Sequence, residues 1–183
     1  GGIAGAEYLA DLLDRDDLIT FDVGGTSLDI CKIEGSRASA AFEAKLEDHP
    51  MLIPVYDIRS IGAGGGSIAW IDEGLLKVGP KSAGAQPGPA AFGLGGSHAT
   101  VTDAISCLGV LDPSNFLGGR KKLDLEAATL VVQSQVADPL GVSISDAAWN
   151  IIDTAADRIA KAVLEAIAKT HRSPEDCAIF VIG

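Results

Sequence analysis

The chain has 183 residues, 47% of them hydrophobic and 21% charged, and its 25 acidic and 14 basic side chains give a formal net charge of −11. Such a composition is typical of a globular protein and excludes a disordered chain. The negative charge argues against nucleic acid as a partner, because binding its phosphates requires clustered lysine and arginine. Since no apolar run approaches the length of a membrane span, no membrane partner is expected either.

The cysteines favour a reducing compartment. Cys31, Cys107 and Cys177 are far apart in the sequence and form no metal-ligand or redox spacing. No charged segment followed by an apolar one opens the chain as a signal peptide would. We therefore expect a cytoplasmic protein with free and mostly buried thiols.

Strand-like patterns dominate the first part of the chain. Residues 81–96 are too rich in glycine and proline for a regular element, and they form either a disordered tip or a structured functional loop. A final strand, expected to be buried, returns at the end of the chain after several helices, and this order of elements predicts an α/β layer fold. The predicted strands lie at 18–23, 28–33, 38–46, 52–61, 67–71, 75–78 and 177–182.

Helical periodicity and capping signals predict four helices. Thr102 or Asp103 is expected to cap the second helix. Asp124 is expected to cap the third, and Pro139 to end it. Ser143 opens the last and longest helix with a capping box. The predicted helices lie at 4–13, 102–110, 125–136 and from 143 to the segment that begins at 171.

The first glycine turn is the strongest candidate for a binding site. An apolar strand ends at Asp22, and Gly24 and Gly25 follow, so the backbone can turn sharply and approach a ligand. The amides from Gly24 to Ser27 can then converge on an anion, with hydroxyl donors from Thr26 and Ser27. The Asp22 carboxylate suits a hydrated Mg²⁺ ion. An ordinary β-hairpin with a glycine turn is the alternative.

A second glycine turn contains Gly62, Gly64, Gly65, Gly66 and Ser67. It does not match the dinucleotide-binding fingerprint, because serine stands at the last glycine position and no helix is predicted to follow. We favour a backbone cradle for phosphate or substrate. A strained turn between two strands is the alternative.

Arg59 and the segment Gly74–Ser82 are two further candidates for binding phosphate. Arg59 could pair with a phosphate or carboxylate, or with an internal acid such as Asp57. The segment Gly74–Ser82 is close to a P-loop in sequence. We reject that interpretation, because Pro80 is inserted before the lysine and no helical pattern follows.

The sequence leaves the roles of Asp29 and Asp103 open, and the histidines form no known catalytic or metal-binding pattern. Asp29 alternates with apolar neighbours and faces either a cleft or solvent. Asp103 lies at a predicted helix start, where the helix dipole alone would favour a carboxylate, and a catalytic or metal-linked role is the alternative. His49, His98 and His171 are scattered, and no Ser-His-Asp or zinc-protease pattern is present.

The motif Asp22–Thr26 resembles the phosphate motif of the actin-like ATPase superfamily, which includes actin, sugar kinases and heat-shock chaperones. Together with four later motifs, it resembles the hydantoinase A/oxoprolinase family. This family contains N-methylhydantoinase, 5-oxoprolinase and related subunits of acetone and acetophenone carboxylases. The five motifs, in chain order, are Phe21–Asp29, Asp57–Trp70, Val78–Ala90, Thr100–Ala104 and Asn115–Gly119.

The resemblance implies a ribonuclease-H-like half-domain of the actin-like ATPase type, with a mixed sheet, helices and an inserted glycine-rich region of strands and loops. The whole chain, 1–183, would form one domain fragment. Residues 18–46 would form the phosphate-binding hairpin region, 52–98 the insertion, and 100–183 the helices and closing strand. The resemblance also implies a middle piece of a longer subunit, which by itself would bind ATP weakly or not at all and would be inactive.

The resemblance further implies ATP-dependent opening of a cyclic amide, such as a hydantoin or 5-oxoproline, through phosphorylation of the amide oxygen. The alternatives are the nucleotide-binding subunit of a ketone carboxylase and a non-catalytic actin-like nucleotide switch. Expected cofactors are ATP and Mg²⁺ or Mn²⁺, with Asp22 and Asp103 catalytic and Asp22 also a metal ligand. Expected partners are a cyclic amide or ketone, an N-terminal lobe of the same chain and a hydantoinase B-type subunit or domain. The expected cofactor-binding residues are Gly24, Gly25, Thr26, Ser27, Gly62, Gly64, Gly65, Gly66 and Ser67.

Overall fold

The computed structural model describes residues 1–15, 17–41, 44–46, 49–51, 55–168 and 173–182, with no side chains over 41–51. Parts of two predicted strands, at 42–43 and 52–54, lie outside this description, as do His171 and the side chain of His49. The helices are α1 (Gly2–Leu12), α2 (Val101–Cys107), α3 (Leu125–Val132), α4 (Asp138–Leu140) and α5 (Ile144–Ile167). The strands are β1 (Leu18–Val23), β2 (Leu28–Glu34), β3 (Arg37–Ala38), β4 (Ala40–Ala41), β5 (Ala44–Leu46), β6 (His49–Met51), β7 (Val55–Tyr56), β8 (Ile58–Ile61), β9 (Ser67–Asp72), β10 (Leu75–Ser82) and β11 (Ala178–Ile182).

The chain divides into two compact units. The first contains Gly1–Val23, Leu28–Ile61 and Lys161–Gly183, and the second contains Gly24–Ser27 and Gly62–Ala160. Each unit has an apolar core of its own. No helix in the described part of the chain has the length and apolar character needed to cross a bilayer.

The first unit is built on a mixed sheet in the order β11–β1–β2–β3, with β8 also paired to β2. Strand β1 runs parallel to β11 and antiparallel to β2. Helix α1 packs on one face, where Ala6 and Ala10 contact a core that includes Leu18 and Ile33. The predicted mixed sheet is therefore confirmed, and the strand predicted at 18–23 has the predicted bounds.

The prediction of a buried last strand is wrong. Strand β11 lies at the end of this sheet and pairs only with β1 among the described strands. Phe180 packs towards the core with α1, whereas Ile179 and Val181 are 50% and 60% exposed. A continuous apolar run is typical of strands covered on both faces, whereas the described residues cover only one face of β11.

The second unit packs the hairpin of β9 and β10 against helices. Ala69 and Val78 of the hairpin share a core with Val132 of α3 and Ile151 of α5. The apolar stripe predicted for α5 faces this core, because Ala148, Ile151 and Ala155 are buried in it. The alternation of small and branched side chains on α5 thus positions the hairpin, which carries several of the candidate residues.

Helix α3 does not end where Pro139 was predicted to end it. A π-helical turn at Gln133–Ala137 joins α3 to α4, and the path ends at Gly141 with a left-handed φ of 65°. Proline is tolerated here because it lies in the first turn of α4, where no intrahelical partner for its missing N–H is required. The chain therefore continues from α3 through the π-helical turn into α4, without a break before Pro139.

Capping was predicted correctly at two helices and wrongly at one. Asp124 accepts the Ala127 amide at 2.9 Å, and Ser143 accepts the Asp146 amide at 3.0 Å, as expected. The N-cap of helix α2 is Thr100, in place of the predicted Thr102 or Asp103, and Asp103 completes a capping box from the third helical position.

Two glycine-rich segments differ in their regularity. Residues Gly74–Ser82 are almost all in β10, which confirms that they do not form a P-loop. The loop after β10 contains a 3₁₀ turn at Ala90–Phe92, and Ala90 and Ala91 are buried. Of the two alternatives for 81–96, the structure therefore favours the structured loop.

Candidate functional site

The two predicted glycine turns lie against each other in the second unit. The Gly24 amide donates to the Ser27 carbonyl at 2.9 Å and closes the first turn. The Gly65 amide donates to the Gly24 carbonyl at 3.1 Å, and the Gly66 amide to the Gly25 carbonyl at 2.6 Å. Two parallel backbone contacts thus fix the orientation of the first turn.

This contact requires glycine at position 64. A Cβ on Gly64 would lie 2.5 Å from the Gly24 carbonyl oxygen and 2.9 Å from the carbonyl carbons of Gly25 and Thr26. All three are backbone atoms, which cannot rotate away as the end of a flexible side chain can. The absence of a side chain therefore allows the two backbones to approach closely.

The four successive amides from Gly64 to Ser67 in the second turn are all used within the unit. Those of Gly65 and Gly66 donate to the first turn, the Gly64 amide donates to Ser67 Oγ at 2.9 Å, and the Ser67 amide donates to the Gly64 carbonyl at 3.0 Å. A Cβ on Gly62 would lie 2.8 Å from the Pro80 carbonyl oxygen, so this glycine packs closely on β10. The second turn supports the first in this structure, and its binding of a cofactor stays a prediction.

Fewer amides of the first turn than of the second have hydrogen-bond acceptors within the described part of the chain. Those of Gly25, Thr26 and Ser27 have no acceptor within the described part of the chain, and Gly25 and Thr26 are exposed. The Thr26 hydroxyl contacts Ser82 Oγ at 3.4 Å. Successive unpaired amides in a turn form a concavity suited to an anion. The turn can therefore accept phosphate oxygens without breaking an existing backbone hydrogen bond.

The start of α2 fixes the second turn from the other side. The Thr102 amide and hydroxyl both donate to the Gly65 carbonyl at 2.8 Å. A Cβ on Gly65 would lie 2.9 Å from Thr102 Oγ1. Thr102 thus joins α2 to the pair of glycine turns, a role that was not predicted from the sequence.

Asp103 is fully buried at the start of α2. Its Oδ1 accepts the Ala91 amide at 2.7 Å, and its Oδ2 accepts the Thr100 amide at 3.0 Å and the Thr100 hydroxyl at 2.7 Å. Burial raises the pKa of this carboxyl, while these hydrogen bonds lower it less. The contacts join the loop at Ala91 to α2, and a catalytic role for Asp103 stays a prediction.

The first unit contains a pair of facing carboxylates. Asp22 on β1 lies directly opposite Asp29 on β2 in the antiparallel register. Both line a cavity of about 290 Å³, whose wall also includes Thr20 and Cys31. Of the two orientations left open for Asp29, the one towards a cleft is observed, and the Ser60 hydroxyl donates to its Oδ1.

This pair fits the requirements of Mg²⁺ better than those of a metal held by the protein alone. Among the described residues, no group of three or more histidine, cysteine or acidic side chains could hold a metal ion. Mg²⁺ usually keeps several waters and binds one or two carboxylates together with substrate phosphates. Asp22 and Asp29 can supply those carboxylates.

Cys31 lies in the same cavity wall, and its thiol is expected to be unreactive. Burial, together with the negative charges of Asp57 and Glu7, raises the pKa of Cys31 to about 11. Because the thiolate is the nucleophile, we expect alkylation of Cys31 by iodoacetamide to be slow and to accelerate about tenfold per pH unit up to that pKa. Mass spectrometry of a Cys107→Ala, Cys177→Ala variant, with Cys31 as its sole thiol, measures this rate. Rapid labelling at neutral pH would contradict the expectation.

Arg59 forms an internal ion pair, one of its two predicted alternatives, but the partner is Glu165 and not Asp57. Both side chains are largely exposed, so the pair contributes little to stability. His98 lines a different cavity, in the second unit.

Comparison with known proteins identifies the family. The hydantoinase/oxoprolinase family profile matches residues 1–183. The α subunit of caprolactamase from Pseudomonas jessenii is 38% identical over 169 residues, which are 92% of this chain and 24% of that subunit. The chain thus spans about a quarter of the length of this relative.

Solved structures confirm the fold. The nucleotide-free structure of acetone carboxylase matches with a TM-score of 0.86 at 32% identity, over 97% of this chain and 25% of that one. The ATP-dependent caprolactamase from Pseudomonas jessenii matches with a TM-score of 0.85 at 37% identity, over 100% of this chain and 26% of that one. The predicted mixed α/β fold of the actin-like ATPase type is therefore confirmed. The chain belongs to the hydantoinase/oxoprolinase family.

Proposed function

We propose that the chain is the nucleotide-binding part of an ATP-dependent enzyme that opens a cyclic amide such as a hydantoin, 5-oxoproline or a lactam. The family match and the likeness to an ATP-dependent caprolactamase support this proposal. The observation that carries it is the first glycine turn, which presents unpaired amides and is held in place through its carbonyls by the second turn.

In this proposal the amides of Gly25, Thr26 and Ser27 bind phosphate oxygens. They act without reorganisation, because the carbonyls of Gly24 and Gly25 are already fixed by Gly65 and Gly66. Donors fixed in this way stabilise charge that develops during transfer of a phosphoryl group. The second turn then contributes by positioning and not by direct contact.

Asp22 and Asp29 would hold Mg²⁺ or Mn²⁺ when the metal enters with the nucleotide. The ion would offset negative charge on the phosphoryl group being transferred. Ser60 orients Asp29 through its hydroxyl. Asp22 lies two positions before Gly24 in the sequence, so the residues proposed for metal and phosphate are close along the chain.

The chemistry proposed for ATP is transfer of its γ-phosphoryl group to the amide oxygen. This transfer makes the ring carbon electrophilic, so that water can add to it and the C–N bond can break with release of phosphate. The glycine amides would position the phosphoryl group, and Asp22 and Asp29 would hold the metal. Binding of the cyclic amide itself is assigned to the longer protein and its partner subunit.

The decisive assay measures ADP release by the full-length protein with its partner subunit. Hydantoin, 5-oxoproline and caprolactam are supplied separately with ATP and Mg²⁺, and the ring-opened product is detected by mass spectrometry. We expect one of them to stimulate ADP release and to be converted in equal amount. ATP turnover that no cyclic amide changes would contradict the proposal.

A ketone carboxylase is the second candidate, because the likeness to the acetone carboxylase structure is equally close. The same assay distinguishes it when acetone or acetophenone is added with bicarbonate. ADP release that requires both a ketone and bicarbonate would favour the carboxylase. If no substrate stimulates turnover, a nucleotide switch becomes the better explanation.

Replacing Asp22 with asparagine is expected to lower kcat of ATP turnover by about 10² to 10³, the usual effect of losing one charge-stabilising group. Asp29→Asn is expected to have a smaller effect, because a single carboxylate can still bind hydrated Mg²⁺. Asp153→Asn, an exposed change on α5, is the matched control. The measurement is steady-state ADP release over a range of Mg²⁺ concentrations. Equal rates for Asp22→Asn and the control would remove Asp22 from the proposed site.

A further inference from the structure

The second unit contains a cavity of about 590 Å³ that the proposed nucleotide chemistry does not use. It lies between the β9–β10 hairpin and the segment around His98, with the π-helical turn beside it. Its volume falls in the range of about 300–1,000 Å³ that is usual for small-molecule sites. The cavity is therefore large enough for a small organic ligand.

The walls combine an apolar surface with a few polar groups. Ile68, Ala69, Ile71 and Trp70 come from β9, and Lys81, His98 and Gln135 supply the polar atoms. No acidic side chain is among the described residues that line it, although the whole chain carries a net charge of −11. This lining suits a ligand with an apolar body and an anionic group.

The indole ring of Trp70 is held in one orientation by its neighbours and offers an apolar surface for a ligand to pack on. Its indole N–H donates to the Gly79 carbonyl at 3.0 Å, and Lys77 lies 5.3 Å from the ring centroid. Lys77 also pairs with Asp72, so its charge is already compensated. The ring remains 40% exposed, which leaves apolar surface available to a ligand.

The backbone at Gly79, whose carbonyl accepts the Trp70 indole N–H, is also fixed. Gly79 lies in an irregularity of the β9–β10 ladder with a φ of 69°, and a Cβ there would lie 2.6 Å from the Gly62 carbonyl oxygen. Arg158 donates to the neighbouring Val78 carbonyl at 2.6 Å. Bulges of this kind re-aim side chains beside functional sites. Here the bulge fixes the acceptor that orients the indole.

Gln135 holds the part of the cavity wall that contains His98. Its Oε1 accepts the Ala99 amide at 3.1 Å, and its Nε2 donates to the Ser97 carbonyl at 2.7 Å. These two hydrogen bonds hold the backbone on both sides of His98. Gln135 lies in the π-helical turn, and such turns occur frequently at functional sites. The helix irregularity thus has a direct consequence for the position of His98.

We propose that this cavity binds a small organic carboxylate with an apolar body, with Trp70 as the apolar platform and Lys81 and His98 as donors to the carboxylate. The Trp70 indole is fixed by its hydrogen bond to Gly79, and the backbone on both sides of His98 is fixed by Gln135 before a ligand arrives. This reduces the entropic cost of binding. Lys81 is exposed and adds a charge that can pair with the carboxylate. The proposal is independent of ATP, because Trp70, Lys81 and His98, the residues proposed to contact the ligand, lie outside the glycine turns.

Titration calorimetry with benzoate tests the proposal directly. We expect saturable binding of benzoate, with binding of neutral benzamide at least about tenfold weaker, since a charge-assisted hydrogen bond is lost. Acetate, which has the carboxylate without the apolar body, is expected to bind more weakly than benzoate. Heat no greater than that of dilution for benzoate would overturn the proposal.

Substitutions in and outside the cavity distinguish binding of benzoate at this site from nonspecific binding. Lys81→Met is expected to weaken benzoate binding about tenfold and to leave benzamide binding unchanged. Lys122→Met removes an exposed lysine that is not in this cavity and is the matched control. Gln135→Leu is expected to weaken binding by releasing the segment around His98, whereas Gln133→Leu, in the same π turn, should not. Thermal unfolding confirms that each variant is folded, and equal losses for Lys81→Met and Lys122→Met would overturn the proposal.

Discussion

Replacing Gly64 with alanine is expected to destabilise the second unit by about 3 kcal/mol and to lower ATP turnover about 10²-fold. The added Cβ would lie 2.5 Å from the Gly24 carbonyl oxygen and 2.9 Å from two other backbone atoms, so the turns must separate. Such overpacking costs about 1–3 kcal/mol. Loss of the hydrogen bonds from Gly65 and Gly66 adds about 0.5–1.5 kcal/mol each. A displacement of about 1 Å in a positioned group is enough to reduce turnover to this extent.

Urea unfolding and steady-state ADP release measure the two effects. Gly25→Ala is the control for stability, because a Cβ on Gly25 would have no heavy atom within 4 Å, and its unfolding midpoint should match that of the wild type. Gly5→Ala in α1 is the control for turnover, since it also places a Cβ in open space. If Gly64→Ala kept both the wild-type midpoint and wild-type turnover, the second turn would have no positioning role.

Local chemistry allowed much of the fold to be predicted from the sequence. The strand at 18–23 ends at a glycine turn, and both signals depend on neighbouring residues only. Asp124 and Ser143 were recognised as caps because a cap and its partner amide lie within one helical turn. The apolar stripe of α5 was equally visible, because helical periodicity places those residues on one face.

Contacts between distant residues could not be predicted in the same way. The Thr102 hydroxyl donates to the Gly65 carbonyl, 37 positions away in the sequence, and the Ser60 hydroxyl donates to the Asp29 carboxylate, 31 positions away. Threonine and serine are common at such positions for local reasons, so neither residue type indicates a distant partner. The use of the second turn's amides within the unit also depends on a contact that local sequence does not encode.

The continuation of α3 through Pro139 was missed for a different reason. The rule that proline ends a helix assumes a regular α-helical path before it. The π-helical turn at Gln133–Ala137 changes that path, and no residue within it signals the irregularity. The same turn brings Gln135 to the backbone on both sides of His98, so the error in secondary structure also concealed the cavity that these residues line.

Replacing Asp103 with alanine is expected to lower the free energy of unfolding by about 4 kcal/mol. The change removes the acceptor for the Ala91 and Thr100 amides at a fully buried position. Each unsatisfied buried amide costs about 1–3 kcal/mol. Asp124→Ala removes an exposed helix cap of the same residue type and is expected to cost only about 1 kcal/mol. Urea unfolding of the two variants compares a buried capping-box residue with an exposed N-cap residue, and equal costs would contradict this account.

The pH dependence of stability and the rate of ATP turnover separate a structural from a catalytic role for Asp103. Because burial raises its pKa in the folded state, its contribution to stability is fully present below the unfolded pKa of about 4 and is lost as pH rises through the folded pKa. Relative to Asp103→Asn, which cannot titrate, the wild type should therefore lose stability as pH rises over that interval. If Asp103 acts only in folding, Asp103→Asn should retain wild-type turnover at temperatures where it is fully folded. A loss of turnover without unfolding would instead support the catalytic role predicted from the sequence.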